Sequence, residues 1–362
     1  MRTTLPRIIT LIGLYYVVMF TGASVSAQGL ADTDTLTATP PHFFGSMDLY
    51  YRLSTTEAAS ISSPSLRHNA FVPFWFRLGV DQQYGKSGVR AELTFGERAA
   101  SFYAESDDPD VWDYVRGLEV YTHARGVKLQ LGTYPIYYGF EHDDPYFNPL
   151  YTNSHVYSYT AAQLTGFQAT IPVSDNDKVM LGVYNSSQQR IDGDGNLLFG
   201  GEYILAHGDH FSYFNVLGGR DTDEQLFLML NASGEFGLSP KLTLAYDLLY
   251  HRYEYPSFDE PTYFGGVAAY VIVEPSKAWR HALRLEHFAD PSAFGQRRAG
   301  TMQAVSAATT YRYGPFEARA ELRYDHGEAR ILPTQDLTTL GQPVFKDDGL
   351  ALTFAVLYGF GE

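Results

Sequence analysis

The segment FEARAELRYDHG, Phe316 to Gly327, restricts the fold more than any other stretch of the chain. Phe316, Ala318, Ala320, Leu322 and Tyr324 alternate with Glu317, Arg319, Glu321, Arg323 and Asp325. Only an extended strand separates two such sets, because its successive side chains point to opposite faces. One face is apolar throughout and the other is charged throughout, so the strand divides an apolar medium from a wet or internally paired one. VRAELTFGER repeats the pattern, with Val89, Ala91, Leu93 and Phe95 set against Arg90, Glu92 and Thr94. In GLALTFAVLYGF, Leu350, Leu352, Phe354, Val356, Tyr358 and Phe360 oppose mostly small residues, Gly349, Ala351, Thr353, Ala355, Leu357 and Gly359. Helical periodicity is nearly absent.

Strand-like runs between turn signals fall near 42–54, 71–84, 88–102, 114–124, 126–140, 157–171, 177–187, 198–206, 210–218, 225–236, 240–254, 262–273, 279–289, 301–313, 315–326 and 348–360, about 16 in all. Links after the even strands are short, such as GKS, PVSDN and HGD. Links after the odd strands are mostly longer: 55–70, 103–113, 141–156, 188–197, 255–261, 290–300 and 327–347. A sandwich or a propeller has no reason to keep that alternation. An up-and-down barrel in an outer membrane does, with tight periplasmic turns and long extracellular loops. A sheet crosses hydrocarbon only when it closes, since an open edge leaves backbone N–H and C=O groups unpaired. The expected fold is therefore all-β: a closed, antiparallel, up-and-down transmembrane barrel of about 16 strands, wide enough for an aqueous channel.

Composition fits. Mean hydropathy is −0.20, and no later segment approaches the roughly 20 apolar residues of a spanning helix. Arg2 and Arg7, the apolar run Ile8 to Phe20, and Val25 and Ala27 before Gln28 predict a cleaved signal peptide over 1–27. Residues 28–41 read as a flexible lead-in, and 42–362 as the barrel. There is no cysteine, so an exported chain would rely on ladders and packing instead of disulfides. The formal charge of −15 argues against nucleic acid as a partner.

Alternation assigns Asp48, Arg52, Arg77, Asp81, Arg90, Glu92, Glu119, Lys128, Asp247, Arg284, Glu286, Glu317, Arg319, Glu321, Arg323 and Asp325 to the inner, pore-lining face. Facing rows of opposite sign would favour polar solutes over apolar ones. The excess of acid is expected in outer loops, at Asp107, Asp108, Asp110, Asp143, Asp144, Asp221, Asp223, Glu224, Asp259 and Glu260, suggesting mild cation preference or divalent bridging to lipopolysaccharide. The link GFEHDDPYFNPLYTNSH places Glu141, Asp143 and Asp144 where a loop folding back would narrow a pore. No metal site is expected there. DGDGN, Asp192 to Asn196, opens like a calcium loop, but Leu197 and Tyr203 stand where its Gly and bidentate Glu belong. Ser154 and His155 are adjacent on a strand-like segment and would point apart, with no third orienting group. No nucleotide, metalloprotease or nucleophile-elbow motif occurs in a credible context, and no cofactor is expected.

LGTYPIYYGFE, then Asn148 and Tyr151, then TAAQLTGFQATIPVSDNDKVMLGVYNSSQQ together resemble the β-barrel porin-2, OmpL-like group. The matching positions are Gly132, Gly139 and Glu141; Asp144 and Asn148; Thr165 and Gly166; Tyr184 and Asn185. The resemblance implies an outer-membrane porin of a Gram-negative bacterium, not an enzyme, passing small polar solutes or ions by passive diffusion. It also implies outer-membrane lipid, lipopolysaccharide and the barrel-assembly machinery as partners. Monomer and homotrimer are both open. A barrel-embedded lipid-modifying enzyme and a soluble exported glycan-binding β protein are the alternatives from other classes.

Overall fold

A computed structural model describes residues 38–56, 66–103, 111–160, 163–187, 195–222, 225–255, 261–291, 300–327, 332–337 and 343–361. The expected signal peptide and most of the lead-in lie outside these residues, as do Asp107, Asp108, Asp110, Asp192, Asp223, Glu224, Asp259 and Glu260.

The strands are β1 (His42–Ser54), β2 (Phe71–Tyr84), β3 (Ser87–Phe95), β4 (Val115–Ala124), β5 (Val127–Pro135), β6 (Gln163–Pro172), β7 (Lys178–Tyr184), β8 (Leu198–His207), β9 (His210–Thr222), β10 (Gln225–Ser239), β11 (Leu242–Glu254), β12 (Thr262–Ser276), β13 (Trp279–Asp290), β14 (Gly300–Tyr313), β15 (Phe316–Gly327), β16 (Leu332–Leu337), β17 (Pro343–Lys346) and β18 (Asp348–Phe360). Among the described residues, sixteen of them close into one antiparallel barrel in which consecutive strands pair and β1 joins β18. β16 and β17 form a separate hairpin inside the long link from β15 to β18.

Closure gives the alternating pattern its meaning. On β15, Phe316, Ala318, Leu322 and Tyr324 face outward and are exposed, while Glu317, Arg319, Glu321 and Arg323 are buried inside. The outer surface is a band of aliphatic side chains, including Leu230, Leu248, Leu285, Val305 and Val356. Aromatic residues border it: Tyr84, Trp279, Tyr313 and Phe316 near the tight turns, and Phe71, Tyr263 and Tyr324 near the long links. An apolar belt between aromatic girdles is the surface a barrel presents to a bilayer.

The tight turns join β2–β3, β4–β5, β8–β9, β10–β11, β12–β13 and β14–β15, with a five-residue turn at 173–177 between β6 and β7. Arg125 and Gly126, at φ 53° and 83°, show why two residues suffice: both adopt the left-handed conformation that matches the twist of the flanking strands. The long-link series has one exception, because β9 and β10 are separated only by residues 223–224.

Three expected strands overshoot. The third ends at Phe95, and Glu97–Tyr103 is a helix, α1, entered after Gly96 at φ 107°. The fifth stops at Pro135 and the sixth starts at Gln163. Between them lies a second short helix, α2 (His155–Ser158). Ser154 caps α2 by accepting from Tyr157 N at 3.0 Å, so Ser154 and His155 do not sit on a strand-like segment.

Candidate functional site

After Pro135 the chain leaves the wall and runs inside the barrel. Leu150, Tyr151, Asn153, Ser154, His155 and Val156 are fully buried. The local chemistry shapes this segment before the barrel holds it. Asp144 Oδ1 accepts from Tyr146 N at 3.0 Å, turning the chain at Pro145. The Asn148 amide then clamps the backbone of His142, accepting from its N–H and donating to its C=O, each at 2.7 Å. Gly139, at φ 94°, packs so closely on Asp247 that a Cβ would meet its Oδ2 at 3.0 Å. A side chain there would add contact strain to a conformation that L-residues rarely adopt.

The segment is tied to strands all round the lumen. Ser46 on β1 donates to Asp144, and Arg77 on β2 lies 3.0 Å from the same carboxylate. Arg116 on β4 grips Asp143 with two nitrogens, at 2.7 and 2.8 Å. The Tyr138 hydroxyl donates to Val216 C=O on β9 at 2.7 Å. Asn231 on β10 accepts from Gly139 N at 3.1 Å, and Asp247 on β11 accepts from Phe140 N at 3.0 Å. On β13, Arg284 reaches Glu141 Oε1 and Thr152 C=O, both at 2.6 Å. On β15, Glu321 accepts from the backbone of Tyr151 and Thr152, and Arg319 donates to Leu150 C=O at 2.9 Å. Burial alone would raise the Asp143 carboxyl, but the Arg116 guanidinium and the Tyr103 hydroxyl beside it hold it below the usual carboxylate range.

All sixteen residues assigned to the inner face point into the barrel. Asp48, Arg52, Arg77, Glu92, Asp247, Arg284, Glu286, Glu317, Arg319, Glu321 and Arg323 are buried there; Asp81, Arg90, Glu119, Lys128 and Asp325 are partly exposed within it. They form two main clusters. On β13 and β15, Glu286 joins Arg284 at 2.6 Å and Arg323 at 2.9 Å, while Glu317 joins Arg319 at 2.6 Å. On β2–β4, Glu92 is shared by Arg77, Arg90 and Arg116. Asp247 stands apart with Asn231 at 2.7 Å, and Lys128 lies over the Tyr121 ring.

Glu141, Asp143 and Asp144 are buried and paired, so they act as anchors of the segment and not as free charges facing solvent. Asp143 and Asp144 are thus not outer-loop acids. Nor is Asp221 an exposed acid: it accepts from Ser186 Oγ at 2.9 Å and Ser187 N at 2.7 Å.

Several lumen residues were not among the expected sixteen. Arg116 shares the parity of outward Leu118 and Val120, yet it is buried. The register shifts opposite Glu92 and Leu93, and Arg116 is the extra residue, which the bulge re-aims inward. Arg98 belongs to the unexpected α1 and donates to Asp143 C=O and Asn153 Oδ1. Glu202 and Glu235 share the parity of inward Leu198 and Asn231, so their place was readable from Phe199 and Tyr203, and from Leu230 and Phe236, facing out.

Two cavities flank the inner segment, toward the tight-turn end. The first, about 340 Å³, lies against β2–β6 and is lined by Arg77, Arg90, Glu92, Arg116, Glu119 and Gln130. The second, about 390 Å³, lies against β8–β10 and is lined by Glu202, Phe211, Tyr213 and Glu235, with Tyr137 and Phe140 from the segment. His142 lines both. Toward the long-link end the β8–β13 side of the lumen is apolar, with Leu150 and Val156 packed among Leu198, Leu217, Phe227, Met229, Phe264 and Phe288, while Arg52 and Arg323 are buried on the β1 and β15 side.

A closed sixteen-stranded barrel, apolar outside and charged inside, with its third long link folded into the lumen, has the architecture of an outer-membrane porin. The chain matches the family described as "Putative beta-barrel porin-2, OmpL-like" over residues 41–360, and it belongs to that family. No curated protein matches it. Among solved structures it is similar to the trimer form of OmpT from Vibrio cholerae (12% identity, TM-score 0.63), covering 90% of this chain and 100% of that one. It is also similar to the anion-selective porin of Comamonas acidovorans (9%, TM-score 0.62, 90% and 100% covered). The third is the outer membrane channel DcaP of Acinetobacter baumannii (13%, TM-score 0.58, 90% and 98% covered). At these identities the likeness is one of fold, and the family match carries the function: a porin, forming a channel for passive diffusion across the outer membrane.

Proposed function

We propose that small polar solutes and ions pass between the wall of the barrel and the inner segment 136–160, which sets the width of the passage. The carrying observation is that this segment is fastened to eight strands by buried and partly buried polar contacts, so it narrows the lumen as a fixed strap. Glu141, Asp143 and Asp144 hold that constriction. The two sides differ in charge. Arg77, Arg90 and Arg116 line the first cavity, with Glu92 and Glu119, whereas among the described residues no Arg or Lys lines the second, which has Glu202 and Glu235 beside His142. Such a transverse arrangement orients dipolar solutes and disfavours apolar ones.

The chain then acts without catalysis. The Ser154 hydroxyl is engaged as a helix cap and His155 is buried beside Phe288, an arrangement unsuited to a nucleophile and its base. Export through cleavage after residue 27, insertion by the barrel-assembly machinery and contact with lipopolysaccharide belong to the same reading. So does assembly as a homotrimer, the form named for the Vibrio cholerae protein. Swelling of proteoliposomes in a series of uncharged sugars tests the function. Rates should fall steeply with solute size, and no swelling with the smallest sugar would end the proposal.

A further inference from the structure

Carboxylates in this lumen are, as a rule, engaged. Glu92, Glu141, Glu286, Glu317, Asp143, Asp144 and Asp325 each meet an arginine, and Glu321 accepts from backbone N–H groups. Glu202 and Glu235 break the rule; among the described residues both oxygens of Asp48 also find no hydrogen-bond partner, but Asp48 lines neither cavity. Among the described residues neither glutamate meets a cation or a hydrogen-bond donor. Glu202 is only 9% exposed, and what remains accessible opens into the second cavity. A buried carboxylate without a partner is costly, and a soluble cation is the group that would relieve it.

The surroundings narrow the kind of cation. Glu202 stands opposite Asn215 on β9, and Glu235 opposite Phe211, so Tyr213 comes between the two acids along that strand. Phe211, Tyr213, Phe140 and Tyr137 supply aromatic faces around the same space. Aromatic faces attract weakly hydrated organic cations more than strongly hydrated metal ions. The cavity, at about 390 Å³, is large enough for a small organic molecule.

We infer that the second cavity is a subsite for small organic cations, holding an ammonium head between Glu202 and Glu235 and an apolar body against Phe140, Phe211 and Tyr213. This deepens the porin reading and rests on it only in that solutes enter the lumen from solution.

Benzylammonium chloride is the probe, titrated calorimetrically into the full chain folded in detergent, with benzyl alcohol and benzoate as neutral and anionic isosteres. Saturable binding of benzylammonium alone is expected, weakened about tenfold by either Glu202→Gln or Glu235→Gln. Absence of saturable binding overturns the subsite. So does binding that both variants leave unchanged, or that benzyl alcohol shares. Heat-modifiable migration on gels checks that the variants fold. If a Gln variant does not, Tyr213→Leu carries the test, with unchanged affinity again overturning the proposal. Binding is read without current, so a channel that conducts KCl but ignores benzylammonium refutes the subsite alone. Binding without KCl conductance refutes the porin reading alone.

Discussion

Replacing Arg284 with Met separates the inner segment from the wall that carries it. The Arg284 guanidinium is fully buried and reaches Glu141 Oε1 and Thr152 C=O at 2.6 Å, Thr152 Oγ1 at 3.0 Å, and Glu286 Oε1 at 2.6 Å. Methionine fills much of the volume and makes none of these contacts. Removing one partner of a buried ion pair costs about 3–5 kcal/mol, because the other charge stays buried. The lower end applies here: Glu286 keeps Arg323 at 2.9 Å, and Glu141 keeps Ser154 N at 2.6 Å. About 3 kcal/mol corresponds to an opening equilibrium roughly a hundredfold larger. Hydrogen exchange reads it directly at the amides of Tyr151, Thr152 and His155, which are bonded to Glu321 and Glu286. Those amides should exchange roughly a hundredfold faster, while ladder amides of β13 and β14 keep wild-type rates. Loop amides that stay within about threefold of wild type would show that Arg284 does not hold the segment, and would refute the strap.

Changing Glu141, Asp143 and Asp144 together to their amides removes three negative charges opposite Arg284, Arg116 and Arg77, so reversal potentials should move toward anion preference; an unchanged potential would place the segment away from the conduction path. The Asp143 carboxyl is held below its ordinary value, so the stability it contributes is complete above the usual carboxylate pKa of about 3.9 and is lost only as pH falls below it. The difference in loop exchange between wild type and Asp143→Asn should therefore stay constant from about pH 8 to 5, and a difference that shrinks between pH 7 and 6 would contradict the sign. Leu285→Arg puts a charge on the outer band, where Leu285 is 50% exposed beside Val305, and should cost about 2–4 kcal/mol in denaturant unfolding from liposomes. A neutral result would mean that this face meets water.

The barrel was legible wherever one face was apolar and the other charged. β15 and β3 are such strands, and their faces separate as alternation requires. The long-link half of β10 was harder to read inside from outside, because QLFLML is apolar on both faces: Leu226 and Leu230 face outward, while Phe227 and Met229 pack inside against the apolar lumen cluster. The inner segment was legible as an acid-bearing link of suitable length, and its anchoring was not. The arginines that hold it come from β2, β4, β13 and β15 and from α1, far away in sequence, and one of them reaches the lumen only through a bulge. A bulge adds one residue to one strand and inverts the parity beyond it, which no local pattern announces. The same holds at Asp48 and Leu49, where β2 carries the extra Phe74 inward beside Pro73. The helices α1 and α2 were missed for a related reason: both are short and fixed by contacts with the lumen, as Arg98 and His155 show.

Single-channel recording in planar bilayers tests the central claim most directly. Purified protein in KCl should give discrete, ohmic steps whose size rises with salt concentration, and the Arg284→Met variant should show added open-channel noise from a loosened strap. Correctly folded, heat-modifiable protein that inserts and passes no current would contradict the account.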